Sequence, residues 1–302
     1  MKIYSIIVTY NGEFWIEKCL SSIQNSLIPI KIIVIDNKST DKTVEIIENG
    51  FKNVQLIKSE NNLGFGQGNN IGLKIALQEN ADYVFLLNQD AWIEPDTIQK
   101  LVEVQKQYTE FGILSPIHKN YEGTAMDLYF SKIIVPDYCP DFISDLYLNR
   151  LQNIYPIKFV SAAAWIISKD CLLKVGLFDP LFPHYGEDND YVERAVFHGF
   201  KIGIITNSEV YHFSSYKSDN EVSKNYLRQL TQSLNELKNI NSNFRSNLLI
   251  FLKTNHDTLS SLILYRKFSQ FFFRFKLFFK IIFCIPKIIK SRKISKQIKA
   301  FL

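Results

Sequence analysis

The last acidic residue of this 302-residue chain is Asp257; from Thr258 to Leu302 there are eleven Lys or Arg and no Asp or Glu. The overall charge of +5 therefore conceals a body, residues 1–257, with 24 basic and 30 acidic side chains. Cysteine is scarce and scattered. Cys19, Cys139, Cys171 and Cys284 form no CxxC pair and have no metal-ligand spacing. That excludes a cysteine-ligated metal site and suits unpaired thiols in a reducing cytosol. No apolar run reaches the roughly 18 residues needed to cross a bilayer. No Gly-Lys-Ser/Thr closes a glycine-rich stretch, so there is no Walker-type phosphate loop. Internal repeats are lacking, as is low complexity before the tail. The amino terminus enters a strand at once, which leaves no room for a secretory signal.

What is present points to one large α/β domain with an appendage. Hydrophobic residues make up 46% of the chain, enough for a sizeable core. Lys2 to Thr9 reads as a β-branched strand, Glu13 to Ser26 as an amphipathic helix, and Lys31 to Asp36 as a second strand. Ser39-Thr40-Asp41 offers caps for a helix running to Asn49. Val54 to Lys58 is a third strand, followed by a Gly-rich turn, a helix to Glu79 and a strand from Tyr83 to Asp90. Such alternation gives a doubly wound, mostly parallel sheet. Residues 116–156 read as an irregular insert, Lys158 to Ile167 as a buried strand, Asp188 to His198 as a helix, and Lys201 to His212 as two short strands.

Several polar groups fall where such a sheet presents its ligand edge. Tyr83-Val84-Phe85-Leu86-Leu87 ends in Asn88-Gln89-Asp90, and a buried strand gains nothing by ending on a carboxylate unless something there needs negative charge. A divalent cation carrying a pyrophosphate fits that need. Thr9-Tyr10-Asn11 and Asp36 end the first two strands: the Tyr10 ring suits stacking on a base, and Asp36 suits a nucleobase imide or ribose hydroxyl. Ordinary turn chemistry would place the same residues there. The run Asn62-Leu63-Gly64-Phe65-Gly66-Gln67-Gly68-Asn69-Asn70 would let backbone approach a phosphate or ribose; by itself it fits a flexible loop equally well. Glu187, Asp188, Asp190 and Glu193 crowd four carboxylates into seven residues. Two of them facing a cleft would be held protonated to higher pH, as suits a general base. A helix start favoured by its dipole would show the same acids.

These pieces resemble, in order, a family 2 glycosyltransferase of GT-A fold, in the rhamnosyltransferase-like branch. They are Ile7 to Asn11, Ile35 to Asp41, Asn62 to Asn70, Leu87 to Asp90, Val160 to Ala164, Gly176 to Asp179, and Glu187-Asp188 with Asp190 and Arg194. The resemblance implies an inverting transfer from a UDP- or dTDP-sugar to a hydroxyl of a glycan or lipid-linked acceptor in surface polysaccharide synthesis, with a deoxyhexose such as rhamnose among the sugars. Thr9, Tyr10 and Asp36 match base- and ribose-binding positions, and Asn11, Gly64, Asn70, Asn88 and Gln89 complete the expected nucleotide-sugar set. Asp90 and His212 would hold Mn²⁺ or Mg²⁺. Asp188 matches the base that deprotonates the acceptor, with Glu187 as fallback. Asn88 departs from the family's Asp-X-Asp, and Ala162 stands where the family usually has Gly. A nucleotidyltransferase is the enzymatic rival, disfavoured because Asn11-Gly12-Glu13-Phe14 is not the basic glycine-rich loop it wants. A non-catalytic nucleotide-sugar-binding module is the other.

The expected organisation is a GT-A catalytic domain over 1–245, its nucleotide-sugar half at 1–115 and acceptor half at 116–245, with a helical tail over 246–302. In 262–302, Phe and Ile interleave with Lys and Arg, as in a segment lying on an anionic membrane surface. Such a protein is cytoplasmic and peripheral on the inner face of the membrane. The alternative is a helix pair packing its Phe residues on the domain; the density of Phe and Ile argues against nucleic acid. Removing the tail is expected to leave a soluble catalytic domain.

Overall fold

The computed structural model describes residues 1–182, 184–213 and 221–302, the side chains of 221–225 excepted. The first half alternates as β1 (Ile3–Thr9), α1 (Ile16–Gln24), β2 (Lys31–Asp36), α2 (Thr43–Gly50), β3 (Val54–Lys58), α3 (Gly64–Gln78) and β4 (Tyr83–Leu87). β1, β2 and β4 are almost wholly buried, because helices cover both faces of a parallel sheet and leave neither to water. The period-2 alternation shows directly. Ile6 packs under α3 with Leu73 and Ala76, and its neighbour Ile7 packs against Ile16 and Leu20 of α1.

β5 (Ala91–Ile93), α4 (Thr97–Gln107), β6 (Phe111–Asn120), α5 (Leu128–Ser131), α6 (Phe142–Tyr147), β7 (Ile154–Pro156), β8 (Ala164–Ser168), α7 (Lys169–Val175), α8 (Glu187–Phe197) and β9 (Lys201–His212) follow. The sheet runs β3-β2-β1-β4-β8-β6-β9-β5, with β7 also on β9. β3 through β4 pair in parallel, whereas β8 is antiparallel to both its neighbours. The sheet is thus mixed: β3, β2, β1 and β4 form one parallel block, and β6 and β9 a second parallel pair beyond β8. Chain order reverses at β1, since β2 lies on one side and β4 on the other, and an open α/β sheet has its ligand crevice at such a switch point.

Several element boundaries differ from those expected. β4 stops at Leu87, and Asn88, Gln89 and Asp90 form the turn into β5, which pairs antiparallel with the end of β9. Residues 116–120 continue β6 through Pro116, with a register shift at Pro116/Ile117 that absorbs the proline. The buried strand expected over 158–167 is only its end, β8. The two short strands of 201–212 are one bulged strand. The glycine run belongs to α3 itself: a Cβ at Gly68 or Gly72 would come within 3 Å of Val8 or Ile6, so these glycines set how closely α3 lies on β1.

Three helices close the chain, α9 (Glu221–Lys238) within the span expected as catalytic domain, and α10 (Phe244–Leu264) and α11 (Phe268–Ser295) over the expected tail. These share a core of Phe182, Leu230, Leu234, Leu237, Phe251, Leu277, Ile281 and Ile288. Each fully buried apolar side chain of this kind contributes about 1.5–3 kcal/mol. Beyond α11 the chain returns to the domain, where Leu177 N donates to Ala300 O at 2.9 Å. Gly176, at φ +83°, has the Ala300 backbone against it, with no space for a Cβ. Among the described residues no helix is long and apolar enough to cross a membrane.

Candidate active site

Parallel register sets Thr9 directly opposite Asp36, so the ends of β1 and β2 form one edge. Asp36 is buried; its Oδ2 accepts Ser39 N at 3.1 Å and its Oδ1 has no partner among the described residues. A buried oxygen in that state awaits a donor. Tyr10, 46% exposed beside it, leaves its ring free to stack. Other residues expected at the nucleotide-sugar site make hydrogen bonds that brace this edge. Gln89 Oε1 accepts Thr9 Oγ1 at 2.5 Å and Tyr10 N at 2.9 Å, and its Nε2 donates to Tyr10 O at 3.1 Å. Asn11, at φ 49°, takes Ser39 Oγ on its N–H and Thr40 N on its Oδ1, stitching the loops after β1 and β2. Gly64 N is satisfied by Asn62 and its carbonyl by Asn37. Asn70 spends both ends of its amide on the backbone of Phe178, at 2.9 and 2.8 Å. Asn11, Gly64, Asn70 and Gln89 thus all make hydrogen bonds within the protein that hold the loops around this edge.

The second group lies across the switch point. Pairing of Ala91 with His212 carries the imidazole to the β4–β5 turn. His212 Nε2 is 3.5 Å from Asp90 Oδ1 and 3.3 Å from Asn88 Nδ2, and Nδ1 is 3.8 Å from Asp127 Oδ2. Burial opposes a charged imidazole, yet the bonds and charges of Asp127 and Asp90 hold His212 up to about 9. Asp127 also caps α5 through Tyr129 N and Phe130 N. It was not legible as a site residue, because its only local signal is that of a helix cap. The Tyr121 ring meets Trp15 and Phe213 edge to face, Trp15 and Phe213 pack tilted at 4.3 Å, and Phe213 N donates to Asp90 O at 3.0 Å.

The donor set suits a divalent cation. An ion about 2.1 Å from each ligand can be shared by the Asp90 oxygen and the His212 nitrogen. Among the described residues no group of three or more His, Cys, Asp or Glu converges to hold a metal unaided. Two protein ligands would leave the remaining positions to phosphate oxygens and water, as Mg²⁺ and Mn²⁺ commonly require.

The acidic helix start completes the constellation. Glu187 is buried against Gly66 in the first turn of α3, and its Oε2 has no partner among the described residues. Burial, with the adjacent Asp188 charge, pushes it up to about 8. Asp188 is half-buried and raised by burial, against the opposing bond that its Oδ1 accepts from Asn189 N at 2.8 Å. Ala163 O accepts Asn88 N at 2.9 Å. This bond fixes the start of β8 beside the β4–β5 turn. Asp190 is a different kind of group: buried between Arg194 and Lys238, it is held below the usual carboxylate range despite its burial. It is committed as an ion-pair partner and unfit to take a proton. His184 is exposed.

Comparison with known proteins follows this geometry. Residues 5–172 match the model of glycosyl transferase family 2, and the chain belongs to that family. It is 26% identical over 206 residues to the low-salt glycan biosynthesis hexosyltransferase Agl10 of Haloferax volcanii, covering 66% of this chain and 62% of that protein, less than two thirds of its length. It is 23% identical over 235 residues to the N-acetylglucosaminyl-diphospho-decaprenol L-rhamnosyltransferase of Mycobacterium tuberculosis, covering 70% and 76%. In fold it is similar to S. aureus TarS in complex with UDP, at TM-score 0.55 and 19% identity over 82% of this chain and 68% of that one. GalNAc-T7 with UDP, GalNAc and Mn²⁺ gives TM-score 0.55 and 16% identity over 77% and 51%. The GT-A type sheet expected from the sequence is the fold observed.

Proposed function

We propose that this protein is an inverting glycosyltransferase that moves a hexose from a nucleotide-diphosphate sugar to a hydroxyl of a glycan or lipid-linked acceptor in surface polysaccharide synthesis. One observation carries the reading. The buried Asp36 Oδ1, without a partner among the described residues, ends β2 opposite Thr9 at the switch point of a sheet whose residues 5–172 match glycosyl transferase family 2. The names of the relatives from M. tuberculosis and H. volcanii favour this class of reaction, and a deoxyhexose such as rhamnose is the first sugar to test.

In this reading Asp36 Oδ1 accepts from the base or ribose and Tyr10 stacks on the base. Asp188 takes the acceptor proton as its oxygen forms the new bond to the anomeric carbon. The bond from that carbon to the diphosphate breaks on the opposite face, and the nucleoside diphosphate leaves with the electron pair, inverting the configuration. Asp90 and His212 would hold Mn²⁺ or Mg²⁺, which when bound offsets the charge developing on the diphosphate. Asp188 needs its pKa raised toward the working pH to act in this way, and burial raises it.

The proposed place of action is an anionic membrane surface on the cytoplasmic face. Phe268, Phe272, Phe275, Phe279 and Phe283 recur at helical spacing on α11 and are all exposed, while Leu277, Ile281 and Ile288 of the same helix are buried. Lys276, Lys280, Lys287 and Lys290 are exposed along the same helix. An outward apolar stripe among lysines is the pattern of an interfacial helix.

The deciding experiment is a panel of UDP- and dTDP-sugars scored for binding and slow hydrolysis. Selective binding of one nucleotide-sugar with release of its nucleoside diphosphate is expected. Binding without hydrolysis would favour a non-catalytic module, and release of pyrophosphate from a nucleoside triphosphate plus sugar phosphate would favour a nucleotidyltransferase.

A further inference from the structure

Asp190 lies two residues beyond Asp188 on α8 and is 1% exposed. Arg194 Nε holds its carboxylate from the same helix at 2.8 Å, and Lys238 Nζ holds it from α9. Lys238 is also 1% exposed. Its ammonium has three partners, two held by hydrogen bonds and one by an ion pair, each on a different element. These are Asp190 on α8, Asp179 Oδ2 at 3.2 Å in the loop after α7, and Ser295 Oγ at 2.7 Å on α11. Ser291 of α11 donates to the same Asp179 oxygen. Arg194 gives its other nitrogens to Val175 O and Leu177 O, at 2.9 and 2.8 Å. Phe178, next to Asp179, is the residue bracketed by Asn70 of α3. Directed bonds therefore run from α9 and α11 through one ammonium to the first turn of α8 and, by way of Asp179 and Phe178, to α3.

Two buried anions and two buried cations balance here. Such a cluster adds little net stability over apolar packing of the same volume, so stability is a weak reason for it. Holding several elements in one fixed geometry is what a saturated polar network does well. We propose that Lys238 is a positioning residue for the transfer reaction: through Asp190 and Asp179 together, its ammonium fixes Asp188, at the start of α8, against α3 and the donor edge that α3 supports. The inference rests on Asp188 being the base.

Lys238→Met alone leaves Asp179 buried without a cation and destabilises the fold. The test therefore uses Lys238→Met with Asp179→Asn, which removes one charge of each sign and leaves Asp190–Arg194 intact. The substrate is whichever member of the UDP- and dTDP-sugar panel is hydrolysed fastest, with water standing in for the acceptor. The expected result is a roughly 10- to 100-fold fall in kcat, as for small misplacement of a catalytic group, with donor KM unchanged. Amide exchange at residues 188–190 should quicken in the folded protein, and Lys238→Arg should recover most of the loss. Wild-type kcat and exchange in the double variant would overturn the proposal, as would a loss that only tracks the fraction unfolded. If Asp188→Asn also turns over normally, the base assignment has failed instead, and the exchange rates decide whether Lys238 fixes α8.

Discussion

His212 Nε2 lies 3.5 Å from Asp90 Oδ1, and the contact is made by strand register, since β5 and β9 pair so that His212 faces Ala91, the residue after Asp90. Asp127 stands on the far side of the ring, at 3.8 Å from Nδ1. A ring held at both nitrogens has one orientation to offer a ligand.

That arrangement makes the metal assignment testable by binding alone. Mn²⁺ should strengthen UDP binding, and chelator should remove the gain. Asp90→Ala should abolish the effect because it deletes the site's carboxylate, and His212→Ala should weaken it. Asp127→Asn should lower Mn²⁺ affinity about tenfold, the usual cost of losing an outer partner of a metal-bound histidine. Paramagnetic resonance of Mn²⁺ in the presence of UDP reads all three. UDP affinity indifferent to Mn²⁺ in the wild type would end the assignment, and an unaffected His212→Ala would remove the histidine from it.

Asp188→Asn should leave folding and donor binding nearly intact and lower turnover by roughly 100-fold or more, as loss of a general base does. Single-turnover kinetics with the selected donor would measure it. Retention of turnover within a few-fold would shift the role to Glu187. Asp190 is no longer a candidate, because Arg194 and Lys238 already claim its carboxylate.

Stability should fall as pH rises from 5 to 8. Glu187 and Glu193 have an ordinary value of 4.5 and are each raised to about 8 in the folded chain, chiefly by burial. A carboxyl raised by folding favours the folded state fully below its unfolded value and loses that contribution as pH climbs through the folded one. Melting temperature against pH should decline across this window, and Glu187→Gln should decline less steeply. Equal slopes for the two proteins would show that Glu187 ionises freely in the fold.

Membrane association should depend on the outward face of α11 and leave its docked face alone. Phe272 and Phe283 are 67% and 77% exposed. Changing both to Ser should weaken binding to anionic vesicles at least about tenfold without lowering the melting temperature. Binding of the wild type should weaken with salt. Undiminished vesicle binding by the double variant would refute the surface. Deleting everything after Thr258, in contrast, should destabilise the domain, since it strips Ser291 and Ser295 from Asp179 and Lys238 and Ala300 from Leu177. A sedimentation and melting comparison would show this; the soluble truncated domain expected from composition alone would contradict it.

The sequence by itself determined the first four strands of the parallel block, the edge and the family. Ile-Ile-Val-Ile and Tyr-Val-Phe-Leu-Leu are buried parallel strands because nothing else buries short β-branched or aliphatic runs on both faces. Thr9, Asp36 and Asn88 fall together because parallel strands of similar length end on one side. The acidic start of α8 and the helical tail were equally plain. What only the tertiary structure decided is the use to which each polar group is put. Asn70 and Gln89 brace the loops at the sheet edge because their amides meet backbone that lies far away in the chain. The glycines of α3 serve close helix packing because β1 passes beneath them. Asp127 and Lys238 join the site through register and helix docking, and no local pattern marks either. The tail is divided between an outward Phe stripe and a docked face, a division fixed by which side of α11 meets α9 and the loop at Asp179. Local periodicity reports whether a residue is buried; it does not carry the identity of the partner, which long-range packing supplies.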